Sequence, residues 1–305
     1  MPDIGHLVGE LASWLDGTFT IDNIRVFLNS AFVVGAIGSA AGAVGGAFAA
    51  QRVIERSKKR DDLTKELRNV NVAVSLAFDI SQTVLSLKKQ ELVELLRTYD
   101  ADREAALELN RKIRAHEPVD NVFSFRAHMH TLPARRVPAD PLRKVAYEGI
   151  SITGRPLSLV TMILQSAADL DDSIERRNRM IQTFQAKFPE GGNGKFAELY
   201  FGIPSQDGHV NTEYPDVMRA ISTYSDDTIF FASLLCKDLH EYGVALSKKY
   251  QKQFGKPVIR IQEVDFTKVR AENLMPAESE YEDYLKSFRK LPESKQAGGK
   301  RDGGN

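Results

Sequence analysis

An uncharged run of 24 residues, 27–50 (FLNSAFVVGAIGSAAGAVGGAFAA), constrains this chain more than any other feature. As a helix rising 1.5 Å per residue it would be about 36 Å long, and the hydrocarbon core of a bilayer is about 30 Å thick. The run starts late and no basic segment precedes it, which is unlike a cleavable signal peptide. We therefore predict a single transmembrane helix over residues 27–50.

Glycine recurs within this predicted span at intervals of four residues, at Gly38, Gly42 and Gly46. Residues four apart lie on one side of a helix, so the three glycines form a face of nearly bare backbone. In lipid, helices associate mainly where small residues let their backbones approach closely. We expect this glycine face (Gly38, Gly42 and Gly46) to pair with another copy of the chain.

Charged residues lie unevenly about the predicted span. Residues 1–26 contain four carboxylates and one basic residue, Arg25, whereas residues 51–68 are rich in lysine and arginine. Basic residues remain on the cytoplasmic side of a membrane span. This predicts a protein of the plasma (inner) membrane with its N-terminus outside and residues after 50 in the cytoplasm. The basic residues are Arg52, Arg56, Lys58, Lys59, Arg60, Lys65 and Arg68.

The composition excludes some partners and favours a reducing compartment. Basic and acidic residues balance at 41 each, so the chain as a whole lacks the net positive charge of a nucleic-acid-binding protein. The single cysteine, Cys236, cannot form an intrachain disulfide, which fits a cytoplasmic location.

Apolar spacing before and after the span predicts helices. Residues 4–15 read as a short amphipathic helix, and with Trp14 near its end we place it in the outer membrane interface. Residues 47–117 contain neither glycine nor proline, which predicts a long helical stalk or hairpin over 51–117. Its first part, 51–62, is charged on all sides and should be solvated. A new helix capped by Asp100 or Asp102 would put a bend into the stalk near residue 100.

The stretch 70–87 allows two interpretations because Asp79 is its only charged residue. It could be a second membrane span, but an aspartate at mid-span costs about 2.5–3.5 kcal/mol. A central helix with neighbours on two sides explains the pattern at lower cost. In that interpretation one narrow polar strip runs along an otherwise apolar helix. The strip consists of Asn71, Ser75, Asp79, Gln82 and Ser86.

The remaining segments predict a helical domain over 142–291 and a disordered tail over 292–305. A connection rich in proline, arginine and histidine, 118–141, comes before it. Within the domain we expect a first long helix that starts at Pro156, carries polar residues at some positions of its apolar seam, and ends before 189–194. A second long helix should start at a cap, Ser222 or Ser225, and end at Phe254. A short helix should follow over 277–290. Residues 256–266 are the one strand candidate, or else an extended segment laid on the helices.

The predicted fold class is mainly α: one N-terminal transmembrane helix followed by a cytoplasmic antiparallel helical bundle or coiled-coil domain, with at most one short strand. No known catalytic or nucleotide-binding motif is present. Gly191 to Lys195 resemble a phosphate loop in composition only. His128 and His130 form an HxH pair without carboxylates at matching spacing, so we assign no catalytic, cofactor-binding or metal-binding residue.

Two classes of function follow. In the first, the protein is a single-pass membrane-anchored interaction or effector protein that self-associates through the glycine face and binds a protein partner through its cytoplasmic helices. Its general plan resembles that of many bacterial sensors and effectors, a resemblance that assigns no role to any residue. In the alternative, it is a membrane-anchored enzyme with a site in the Arg/His-rich loop 126–143. Membrane lipid is a partner in both, and nucleic acid in neither.

Overall fold

The computed structural model describes residues 31–119, 124–189, 194–256, 259–266 and 274–288, with the backbone alone for 31–45 and 47. The described residues are mainly helical and contain no strand. The amphipathic helix predicted at 4–15 and the tail 292–305 lie outside them. The helices are α1 (Ala31–Leu87), a π-helical turn (Lys88–Leu92), α2 (Val93–Arg114), α3 (Ala139–Glu148), α4 (Arg155–Lys187), α5 (Gly194–Phe201), α6 (Glu213–Phe254), a 3-10 turn (Glu278–Tyr281) and α7 (Glu282–Ser287).

The chain divides into two compact units, residues 1–62 and 63–305, and α1 belongs to both. In the first unit, every residue from Phe48 to Asp62 is exposed, which confirms the predicted solvated connector. In the second unit, burial starts at Leu63, the first residue of an apolar seam that repeats along α1. The predicted helix over 27–50 is confirmed as helix from Ala31 onward.

Residues 51–114 form no hairpin, and the predicted bend near residue 100 is wrong. α1 passes through the π-helical turn Lys88–Leu92 directly into α2, which continues past Asp100 and Asp102 to Arg114. Leu92, Leu95, Tyr99 and Ala106 are buried, so the apolar seam continues through the π-helical turn into α2. Capping aspartates start a helix only where the preceding backbone is not already helical.

α4 and α6 form the most extensive helix pair and run antiparallel. Arg155 binds Asp238, Ser166 accepts a hydrogen bond from Thr228, and Arg176 binds Glu213, so residue numbers fall along α6 as they rise along α4. α4 starts with Pro156 in its first turn, as predicted. The predicted start of α6 at Ser222 or Ser225 is wrong, because both serines lie inside a helix that starts at Glu213.

The stretch 70–87 of α1 lies in the protein's own core. Its residues Val70, Val74, Ala77 and Ile80 are completely buried and belong to one cluster with apolar residues of α3, α4 and α6. Among the described residues one helix, Phe48–Arg114, is long and apolar enough to cross a membrane, with a window of mean hydropathy 1.4 that is half buried. Internal packing therefore accounts for the apolar pattern that resembled a second span.

An extended segment, 259–265, lies along the polar strip of α1. Asn71 donates to the carbonyl of Arg260 at 2.8 Å and accepts from the N–H of Gln262 at 3.0 Å, as a neighbouring strand would. A Cβ atom on Gly243 of α6 would lie 2.9 Å from the side chain of Ile261, so glycine there allows the close approach. The extended-segment interpretation is confirmed. The strand prediction is wrong, because the backbone of this segment bonds to the side chain of Asn71 and not to the backbone of a second strand.

Candidate functional site

The glycine face is the first candidate site, and α1 places it on a continuous helix. Gly38, Gly42 and Gly46 all lie within α1, so their spacing of four residues brings them to one side of it. Gly46 is exposed, and a Cβ atom added to it would meet nothing within 4 Å. Gly46, the one glycine of this face whose surroundings the structure describes, is thus open to the approach of another helix.

Beyond Gly46 the surface of α1 is exposed and mixed in character. Phe48, Val53 and Ile54 are 64%, 68% and 66% exposed, the largest values among the described large apolar side chains. Basic residues lie close to them in the sequence, including Arg52 and Arg56. An exposed apolar and basic helix surface is typical of a helix that meets a membrane interface or another protein.

The Arg/His-rich loop, the second candidate site, is held along α4 by its backbone. Arg177 of α4 is completely buried and donates to the carbonyls of His128 and His130, at 3.0 Å each. Asn178 binds both backbone groups of Leu132, each at 2.8 Å. Because these bonds all go to main-chain groups of the loop, Arg177 and Asn178 position the loop without using its basic side chains.

The two histidines lie side by side at the surface of this loop. Their ring centroids are 5.8 Å apart, and His130 Nε2 is 4.0 Å from a carboxylate oxygen of Glu91 in the π-helical turn. Burial, followed by the charges of His130 and Arg177, holds the pKa of His128 below its ordinary value of 6.5. The described residues contain no group of three side chains placed to bind one metal ion.

The other arginines of loop 126–143 do not converge on one point. Arg135 donates to Gln90 of the π-helical turn at 3.2 Å, whereas Arg143 binds Asp140 within α3. Arg126 is exposed. The structure thus brings His128 and His130 together, whereas Arg135 and Arg143 bind different partners.

A basic groove, the third candidate site, was not predicted from the sequence. It has a volume of about 440 Å³, an apolar floor that includes Met180, Phe184 and Leu199, and cationic side chains at its rim. Arg176 binds Glu213 at 3.0 Å and Arg179 binds Glu175 at 3.0 Å. The groove's lining comes from α4, from α5 and from the start of α6 with the residues just before it. The rim cations are Arg176, Arg179 and Lys187.

The single cysteine is structural. Cys236 is buried in α6 with its thiol directed at the carbonyl of Val74, 3.6 Å away. Burial raises the pKa of the Cys236 thiol to about 12, so it is protonated at neutral pH. A protonated, buried thiol is a poor nucleophile and a poor metal ligand.

Comparisons with known proteins leave these sites without a precedent: no family model, no curated protein and no solved structure matches the chain. The class that the fold defines is accordingly a coarse one: a mainly helical protein in which, over the residues that the structure describes, one helix is long and apolar enough to cross a membrane.

Proposed function

We propose that this protein is a single-pass membrane-anchored interaction or effector protein of the plasma membrane, with residues 27–50 as its span and residues after 50 in the cytoplasm. The observation that carries the proposal is the change in burial along α1. Its exposed part, 48–62, leaves large apolar side chains uncovered, whereas its part after Leu63 is buried within the chain. Phe48, Val53 and Ile54 in the exposed part offer apolar surface to a membrane or a partner.

In this proposal the cytoplasmic part is an antiparallel helical bundle built on α1, α4 and α6. The pairs Glu66 with Tyr242 and Lys88 with Asp226 support an antiparallel arrangement of α1 and α6. The basic residues after residue 50 support the orientation, since they would remain on the cytoplasmic side. Reporter fusions after residue 60 are expected to behave as cytoplasmic, and fusions at the N-terminus as external; the reverse pattern would overturn the orientation.

Self-association through the glycine face is the second part of the proposal. The open position at Gly46 supports it, because a second helix could approach the backbone there without steric conflict. Copies of the chain are expected to crosslink within the membrane. Gly42→Leu places a branched side chain where two backbones would meet, yet makes the span more apolar, so the protein should stay in the membrane while crosslinking falls.

The matched control is Val44→Leu, a comparable gain in apolar character on a different side of the helix. It should leave crosslinking unchanged. If Gly42→Leu and the Gly38→Leu, Gly46→Leu pair both crosslink like the unmodified protein, then the span is a plain anchor.

Partner binding is assigned to the basic groove. Its apolar floor and its cations fit a partner segment that carries both apolar and acidic side chains. A photoreactive residue in place of Thr183, which lines the groove, should give a discrete adduct in cells. Reversing the charges of Arg179 and Lys187 to glutamate should abolish the adduct, whereas Arg97→Glu on α2 should not. An adduct that survives the reversal would place the partner elsewhere.

A further inference from the structure

Residues 277–288, which we call the strap, cover part of the surface of α6. The ring of Tyr281 is stacked on that of Phe230, with centroids 3.7 Å apart and planes 7° from parallel. The ring of Tyr284 meets that of Phe231 edge-on, with centroids 5.0 Å apart. Both phenylalanines are buried and belong to the core cluster against which the two tyrosines pack. The strap is therefore part of what keeps them from water.

The two tyrosine hydroxyls add direction to this contact. Tyr281 donates to a carboxylate oxygen of Asp227 at 2.9 Å. Tyr284, three residues later, donates to the hydroxyl of Ser158 in the first turn of α4 at 3.3 Å. The surface beneath the strap thus offers each tyrosine an aromatic contact for its ring and an acceptor for its hydroxyl. We call this surface the tyrosine site; it consists of Ser158, Asp227, Phe230 and Phe231.

The strap has few means of holding itself closed. Its two helical pieces, Glu278–Tyr281 and Glu282–Ser287, have four and six residues and contain no buried residue. Helices shorter than about 12 residues are marginal by themselves in water. Segments with few buried contacts open at a lower free energy than the core of the protein. We therefore expect the strap to open, and to expose Phe230 and Phe231, while the long helix α6 stays folded.

Like charges oppose the closed strap. Burial raises the pKa of Asp227, and the carboxylates of Asp226 and Glu280 raise it further, against the hydrogen bond from Tyr281. Lys88 pairs with Asp226, whereas Asp227 receives its bond from a neutral hydroxyl. A basic residue in place of Glu280 would turn a repulsion at Asp227 into an attraction. The charged residues of the strap are Glu278, Glu280, Glu282, Asp283 and Lys286.

We propose that the strap is an autoinhibitory cover of the tyrosine site, and that a partner segment displaces it. This segment carries two tyrosines three residues apart and a basic residue just before the first. The seated strap shows which side chains the site accepts, and charge complementarity to Asp227 argues for the basic residue. The tyrosine site shares none of the lining residues of the basic groove, and it requires neither the membrane span nor the glycine face.

The probe is a synthetic peptide of residues 277–288 with photoreactive benzoylphenylalanine in place of Phe288, added to the full chain in detergent. Phe288 is 36% exposed and lies against Tyr284, so the peptide keeps both tyrosines. In the unchanged chain the strap competes with the peptide. Tyr281→Ala with Tyr284→Ala in the chain releases the strap, and the adduct on α4 and α6 should increase at least about tenfold. That is the gain when a site closed for about nine-tenths of the time becomes open.

Two single variants accompany this double variant. Tyr147→Ala is the matched control, because Tyr147 is a half-exposed tyrosine of α3 outside the tyrosine site, and it should leave the adduct unchanged. Tyr281→Phe keeps the ring and removes only the hydroxyl that binds Asp227, so the adduct should increase about fivefold. This variant decides the matter if circular dichroism shows that the double variant has lost helix. Equal adduct with and without these strap substitutions would overturn the inference, as would an adduct outside α4 and α6.

A Glu280→Lys form of the peptide tests the charge of the partner. With the double variant it should give about five times more adduct than the unchanged peptide, the gain that one favourable surface charge pair can supply. Asp227→Asn, added to the double variant, keeps an acceptor and removes the charge, so both peptides should then give equal adduct. An equal yield before that change, or a preference that survives it, would overturn the assignment of a basic residue to the partner.

Discussion

Two parts of the same helix, residues 48–62 and 63–87 of α1, differ completely in what covers them. Ile54 is 66% exposed in the first part, whereas Ile80 is completely buried in the second. Both parts have the same α-helical backbone. A continuous helix therefore says nothing about its surroundings: the second part is stabilised by contacts within the chain, and the first leaves apolar surface for something outside it.

The largest expected effect comes from deleting residues 1–50. If the glycine-faced run alone requires a membrane, the fragment 51–305 should be soluble and helical without detergent, whereas the full chain should need detergent. Sedimentation and circular dichroism measure both properties. A fragment that aggregates without detergent would restore 70–87 as a second span and remove the difference between the two parts of α1.

The next effect compares Ile80→Ala with Ile54→Ala in that fragment. Ile80 is buried on all sides, so its truncation should lower the free energy of unfolding by about 2–5 kcal/mol. Ile54 is mostly exposed, so the same change should stay within about 0.5 kcal/mol. Urea denaturation measures both values. Equal losses would mean that residues 51–62 are packed in solution.

A smaller effect is expected from Asn71→Ala, with Gln51→Ala as its counterpart in the exposed part. Asn71 binds two backbone groups of the extended segment, so its loss should cost about 1–2 kcal/mol and expose the amide of Gln262 to hydrogen exchange. Gln51 binds only the neighbouring Glu55 at the surface, and its loss should be close to neutral. Unchanged exchange at Gln262 in Asn71→Ala would show that other contacts hold the segment.

The smallest effect is a pH dependence at Glu66, with Glu55→Gln as its control. Burial raises the pKa of Glu66, but hydrogen bonds from Tyr242 and Ser151 outweigh it and hold the pKa below the ordinary 4.5. Since the folded-state pKa is depressed, this carboxylate stabilises the fold above pH 4.5, and its contribution is lost as the pH falls through the folded-state pKa. The stability difference between the fragment 51–305 and its Glu66→Gln variant should shrink over that range. A difference independent of pH would contradict the assignment.

Local pattern was enough to predict most helices but not their exact starts. Pro156 and Gly255 marked real ends because proline and glycine act on the backbone within one turn. Ser225 resembled a cap, yet it lies inside α6, where its hydroxyl bonds the carbonyl of Ser222. Packing of the first turns of α6 against Tyr200 and Phe201 extends the helix beyond what its own residues signal.

The candidate sites also differ in whether the sequence could predict them. The glycine face could be read from the sequence, because a spacing of four residues has a single meaning once the segment is helical. The basic groove could not, since Lys187 and Leu199 come together only when α4, α5 and α6 pack. Asn178 and Gln185 of α4 bind backbone groups of a distant loop, a pairing that the spacing along one helix does not reveal.

By itself the sequence determined the helical class, the uncharged run at 27–50 and the solvated segment that follows, because these depend on composition and on periodicity within a few turns. Only the tertiary structure decided that 70–87 belongs to a protein core. Its mean hydropathy suits lipid and protein interior equally well, and the choice depends on whether other helices cover it. α4 and α6 do, and Asn71 of the polar strip binds the backbone of the extended segment.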